Sequence, residues 1–189
     1  RGGIAPHLRM IGSGRIDGEI EGIGLRFGAD PGDVHLGGAG FAGGDVLFVM
    51  HGMSRNAEEY LDTWVETADS KSMLLIAPEF DNPFYRYVTN DYQDGNLFSA
   101  LGFANPPSEW AYAAIERIVD HLNAANGWSI TGYDMFGHSA GGQFVQKMAM
   151  LAPKSRMRTG IAANAGSYTF PDREIAFPYG LKGVDAAAI

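Results

Sequence analysis

Gly137, Ser139 and Gly141 alternate in the run Gly137-His138-Ser139-Ala140-Gly141, directly after the apolar stretch from Tyr133 to Phe136. A serine hydroxyl is a poor nucleophile at neutral pH, so acyl transfer through it needs an exposed oxygen, a neighbouring base and donors for the oxyanion. A strand that turns sharply into a helix at Gly-x-Ser-x-Gly supplies the exposure, because the glycines let the chain fold back tightly. The helix N-terminus then faces the developing charge. In a chain with 26 glycines the bare spacing is a weak signal, and Ser139 could be only a small residue in a tight turn. Its place between a strand and an amphipathic helix favours the nucleophile.

A second cluster, His51-Gly52-Met53, ends the apolar run Val46 to Met50. Ligands of open α/β sheets sit at the C-terminal ends of the strands, so this turn is expected to face the Ser139 elbow. The backbone N–H groups of Met53 and Ala140 are assigned as oxyanion donors. His51 is expected to hydrogen-bond locally at the strand end, with catalysis as the less favoured alternative. Arg55 and Tyr60 could touch substrate, against surface charge and core packing respectively. Glu79 and Asp81 read as solvated rim carboxylates before they read as cation ligands. Gly38-Ala39-Gly40-Phe41-Ala42-Gly43 matches a dinucleotide fingerprint but precedes a strand, so no helix N-terminus would meet a pyrophosphate, and it is rejected. Histidine and carboxylate spacings carry no metal signature, so neither a metal nor a cofactor is expected.

The elements that must position these residues are legible as alternating strands and helices. Val46 to Met50, Met73 to Ala77 and Tyr133 to Phe136 read as short strands buried on both faces, and Thr159 to Ala165 reads as a fourth strand. Asn56 with Glu59 opens a helix whose apolar face holds Tyr60, Leu61, Trp64, Val65 and Ala68. Pro106-Pro107-Ser108 introduces a second helix, stopped at Asn126-Gly127. The third runs from the elbow through Phe144, Val145, Met148 and Leu151 to Pro153. Strands alternating with helices imply parallel strands in a three-layer α/β sheet. Before them, Arg15 to Phe27 alternates like an edge hairpin, and Gly28 to Gly44 reads as a glycine-rich loop. Between Asn82 and Pro107 lies a long aromatic segment, either a functional rim or acyl pocket or a loop packed on itself.

At 189 residues the chain is read as a single domain over 1–189, with residues 1–44 as the N-terminal hairpin and loop. Hydrophobic residues at 46% and charged residues at 19% suit a soluble globular protein. The formal charge of −8 repels phosphate backbones, so nucleic acid is not an expected partner. No apolar run reaches the roughly 20 residues of a membrane span. With no cysteine, disulfides and a cysteine nucleophile are excluded, and both a cytoplasmic and an exported location stay open.

The runs Val49-Met50-His51-Gly52-Met53-Ser54-Arg55-Asn56, Tyr133 to Gly142 and Ala163-Asn164-Ala165-Gly166 resemble the α/β-hydrolase superfamily, within it the esterase and polyhydroxyalkanoate-depolymerase-like branch. The resemblance covers roughly Asp45 to Gly183. It implies a three-layer fold with a mostly parallel sheet, a Ser, acid, His triad in that chain order, a small ester substrate and no cofactor. It also implies a departure, since no histidine follows His138, and Asp172, which could imitate the acid, has no histidine to orient. The C-terminal strands of such a fold are therefore expected to be missing here, with acid and histidine supplied by a further segment or a second chain. The expected function is ester hydrolysis through an acyl-enzyme on Ser139. A non-catalytic binding protein of the same fold, or a thioesterase, amidase or perhydrolase using the same serine, are the alternatives.

Overall fold

The computed structural model describes residues 9–11, 15–20, 23–28, 44–71, 73–80 and 85–185. Strands β1 (Arg9–Ile11), β2 (Arg15–Ile20), β3 (Ile23–Gly28), β4 (Val46–Met50), β5 (Leu74–Glu79), β6 (Tyr133–His138) and β7 (Met157–Ala163) form a sheet ordered β1-β2-β3-β5-β4-β6-β7. From β5 to β7 all neighbours are parallel, whereas β1, β2 and β3 run antiparallel and attach through β3 to β5. Because β1 pairs outside β2, the β2–β3 pair does not end the sheet. Most of the glycine-rich stretch, at 29–43, lies outside the described residues, as do Asp81 and Phe84.

Helices α1 (Ala57–Lys71), α2 (Ala111–Asn126) and α3 (Ala140–Leu151) cover both faces. Side chains of a strand alternate between faces, and β4 splits accordingly. Val46, Phe48 and Met50 join the core under α2 and α3, while Leu47 and Val49 join the smaller core under α1. That two-sided burial explains an apolar run without alternation. Each such side chain contributes about 1.5–3 kcal/mol when fully buried. The architecture is the expected three-layer α/β arrangement.

Three strand boundaries differ from the expected ones. β6 runs past Phe136 to His138, up to the elbow serine. β5 continues through Pro78 to Glu79 because both residues pair with β3, as Leu25↔Pro78 and Gly24↔Glu79, while the pairing with β4 has already ended at Phe48↔Ile76, so the proline's missing N–H breaks no bond on that side. β7 starts at Met157, two residues before Thr159, and ends at Ala163. A register shift beside Tyr133 and Asp134 lets Met157 pair with Tyr133.

From Tyr85 onward the aromatic segment is ordered. It contains a π-helical turn at Val88–Gln93, a bridge between Phe98 and Ala104, and a 3-10 turn at Pro107–Glu109. Tyr92 is fully buried and stacks between His51 at 4.4 Å and Phe144 at 5.2 Å, while Tyr87 and Phe103 face solvent. No helix among the described residues is long and apolar enough to cross a membrane.

Candidate active site

Ser139 occupies the junction of β6 and α3 with φ 57° and ψ −117°. A non-glycine residue held there stores on the order of 1–3 kcal/mol of strain, so its surroundings must over-determine it. Its N–H donates to the Ala163 carbonyl at 3.0 Å, and its carbonyl accepts from Gln143 N at 3.1 Å. A methyl group on Gly137 would collide with the Gly141 carbonyl, and one on Gly141 with the main-chain oxygens of Met50 and His51. The two motif glycines are therefore fixed by backbone-to-backbone approach. Ser139 is half-buried and its hydroxyl makes no capping bond to α3, which a structural serine at a helix start would normally do.

The His51-Gly52-Met53 turn comes to this elbow. β4 and β6 are neighbours with Met50 opposite Gly137, and a Cβ built on Gly52 would stand 3.9 Å from Ser139 Cβ. Met53 follows Gly52 with an exposed side chain, and Ala140 is the buried first residue of α3. The two residues assigned as donors thus sit on the turn after β4 and at the first position of α3, which adjoin each other.

His51 is completely buried and structural. Its Nε2 accepts from Phe80 N at 3.1 Å, so its Nδ1 carries the hydrogen and donates to Gly52 O at 2.7 Å. Tyr92 donates its hydroxyl to the His51 carbonyl at 2.8 Å. Burial holds the Tyr92 phenol well above its ordinary pKa, so it remains a donor. His138 Nδ1 lies 3.0 Å from the Tyr60 hydroxyl. His121 lies on α2, and His7 and His35 fall outside the described residues. Asp172 is engaged in a local turn, its Oδ1 accepting from Glu174 N at 2.7 Å.

Arg55, at φ 57°, reaches back with its guanidinium to the carbonyls of Tyr85 and Arg86 and ties the turn to the aromatic segment. Asn56 does not cap α1 through its oxygen: its Nδ2 donates to Glu59 Oε2 at 2.6 Å, a side-chain pair in place of the expected capping box. Sequence reasoning missed the polar cluster behind α3. There Gln143 Oε1 accepts from Ser167 Oγ at 2.8 Å, and buried Lys147 pairs with Asp94 at 3.0 Å. The available signal was a glutamine and a lysine, one turn apart, on the apolar stripe of Phe144, Met148 and Leu151.

No family model matches the sequence, and no curated protein does. Two solved structures match closely. Poly(aspartic acid) hydrolase-1 from Sphingomonas sp. KT-1 is 32% identical with a TM-score of 0.77, covering 98% of this chain and 66% of that one. A poly(3-hydroxybutyrate) depolymerase from Bordetella parapertussis is 31% identical with a TM-score of 0.75, covering 95% of this chain and 57% of that one. The chain thus spans less than two thirds of the length of either relative.

Proposed function

Because this chain belongs to the α/β-hydrolase superfamily, we propose that it carries the nucleophile and oxyanion hole of a serine hydrolase cleaving carboxylic esters. Ser139 Oγ attacks the ester carbonyl while its proton passes to a histidine. The carbonyl oxygen takes up negative charge between the N–H groups of Ala140 and Met53. Collapse expels the alcohol, which recovers that proton, and leaves an acyl group on Ser139. Water then attacks the acyl-enzyme by the same route and releases the acid. In this reading the histidine and its acid come from outside residues 1–189, because the family's triad order sets the histidine after the serine and no histidine follows His138 in this sequence, while His51 and His138 are engaged elsewhere.

One observation carries the proposal: a strained, half-exposed serine with an uncapped hydroxyl lies against Gly52. The orientation of the Gly52–Met53 peptide supports it. Gly52 O accepts from His51 Nδ1 and from Arg55 N at 3.2 Å. In a trans peptide the N–H points opposite the C=O, so this pins the direction of the Met53 amide.

The two relatives name a polyamide and a polyester. The formal charge of −8 repels a polyaspartate chain, which favours a neutral ester. Amide cleavage is the second reading, resting on the poly(aspartic acid) hydrolase likeness. Assaying the intact protein and Ser139→Ala on nitrophenyl esters, thioesters and anilides separates them. Ester turnover lost in S139A supports the proposal, whereas ester turnover retained in S139A sinks it.

A further inference from the structure

We propose that Tyr60 is a positioning residue whose hydroxyl, hydrogen-bonded to His138 and packed against the Gly52 main chain, holds the oxyanion turn in register with the Ser139 elbow. This role rests on the serine-hydrolase reading above and extends it to a residue outside the nucleophile, the oxyanion donors and the triad.

The sheet leaves this registration undone. The β4–β6 ladder ends at Met50↔Gly137, so residues 51–53 and 138–139 run on past their last shared strand pairing. Contact of Gly141 with the carbonyls of Met50 and His51 sets how closely α3 approaches β4, but leaves the Gly52 peptide unaddressed. An oxyanion donor displaced by about 1 Å costs on the order of a hundredfold in rate, so some further tie is required.

Tyr60, from the first turn of α1, supplies one. Its hydroxyl lies 3.0 Å from His138 Nδ1, next in sequence to the nucleophile. A Cβ built on Gly52 would stand 2.9 Å from that hydroxyl and 3.9 Å from Ser139 Cβ, so phenol, turn and elbow converge at one point. Burial raises the phenol's pKa, so Tyr60 stays neutral and acts as a donor, not as a base. In the proposed role its hydrogen goes to His138 Nδ1, and His138 carries its own hydrogen on Nε2. The phenol packs on the Gly52 main chain while the Gly52 C=O is held by His51 and Arg55, so the Met53 amide that follows is held relative to Ser139.

Tyr60→Phe in the intact protein keeps the ring and deletes the hydroxyl that bonds His138 and packs on Gly52. The rate of fluorophosphonate capture at Ser139 and kcat on an ester are expected to fall roughly ten- to hundredfold, with KM changed by no more than about twofold. His138→Phe is expected to match it, and the double variant to lose no more than either alone, because both break one tie. His138→Gln, which restores an acceptor, recovers most of the rate. In 15N spectra His138 is expected as the Nε2–H tautomer in the wild type and to lose that preference in Y60F. Capture of Y60F at the wild-type rate, or a loss confined to KM or to melting temperature, overturns the role. Wild-type protein with no adduct at Ser139 overturns the hydrolase reading, and the positioning role with it; that outcome is recognisable because no variant is then captured.

Discussion

Lys147 Nζ lies 3.0 Å from Asp94 Oδ1, and the lysine side chain is wholly inaccessible to solvent. The pair joins the segment after the π-helical turn to α3, the helix that follows Ser139. A buried pair contributes little net stability against an apolar substitute, but one charge left without the other is costly. Lys147→Met is expected to destabilise the fold by about 3–5 kcal/mol, and adding Asp94→Leu to recover a large part of the loss. Urea unfolding of wild type, single and double variants checks both statements.

The same pair gives stability a pH dependence of known sign. Burial pushes the Asp94 carboxyl above its ordinary range, and Lys147 pulls it part of the way back. The folded chain therefore binds this proton more tightly than the unfolded chain. Asp94's contribution favours folding at low pH and is lost as pH rises from the ordinary carboxylate range through the raised folded value. Asp94→Asn is expected to remove that component of the slope, read from denaturant midpoints across a pH series.

Strain at Ser139 predicts a trade of stability against function. At φ 57° and ψ −117° a glycine is unstrained where a serine is not. Ser139→Gly forfeits the hydroxyl and gains flexibility in the unfolded chain, yet relief of strain outweighs that. It is expected to raise stability by about 0.5–1 kcal/mol while abolishing turnover. A melting temperature below that of the wild type contradicts this.

His51 can be tested without emptying its site. His51→Phe keeps the stack on Tyr92 and removes the bonds to Phe80 N and Gly52 O. The freed Gly52–Met53 peptide is expected to cost roughly a hundredfold in kcat with little change in KM, and the Phe80 amide left without its acceptor about 1–3 kcal/mol of stability. Steady-state kinetics beside urea unfolding measure the two parts.

At the opposite end of the strands, Arg156 gives the contrasting outcome. It bonds Glu116 Oε2 at 2.6 Å and Asp120 at 2.7 Å, while Tyr133 donates to Glu116 at 2.6 Å. Arg156→Ala is expected to cost about 1.5–3 kcal/mol and leave kcat unchanged, since nothing in this cluster reaches the elbow. Denaturation and turnover measured on one preparation separate the effects.

The sequence made the sheet's central strands, the three helices and the elbow legible because each rests on local pattern. Val46 to Met50 is apolar on both faces, and Gly137 and Gly141 are spaced as a strand-turn-helix requires. What it hid depends on distant partners. Tyr60 reads as a core residue by helical spacing, and its bond to His138 spans 78 residues. Tyr92 reads as part of a loop because a π-helical turn shows no α periodicity, yet it is the buried donor to His51. Pro78 reads as a strand end, and only the distant pairing of Pro78 and Glu79 with Leu25 and Gly24 of β3 explains why the strand continues.

The most direct measurement is capture of the intact protein by a serine-directed fluorophosphonate, followed by peptide mass mapping. A single adduct on Ser139, absent after Ser139→Ala, is the expected result. No adduct, or one carried by a different serine, contradicts the assignment of Ser139 as nucleophile.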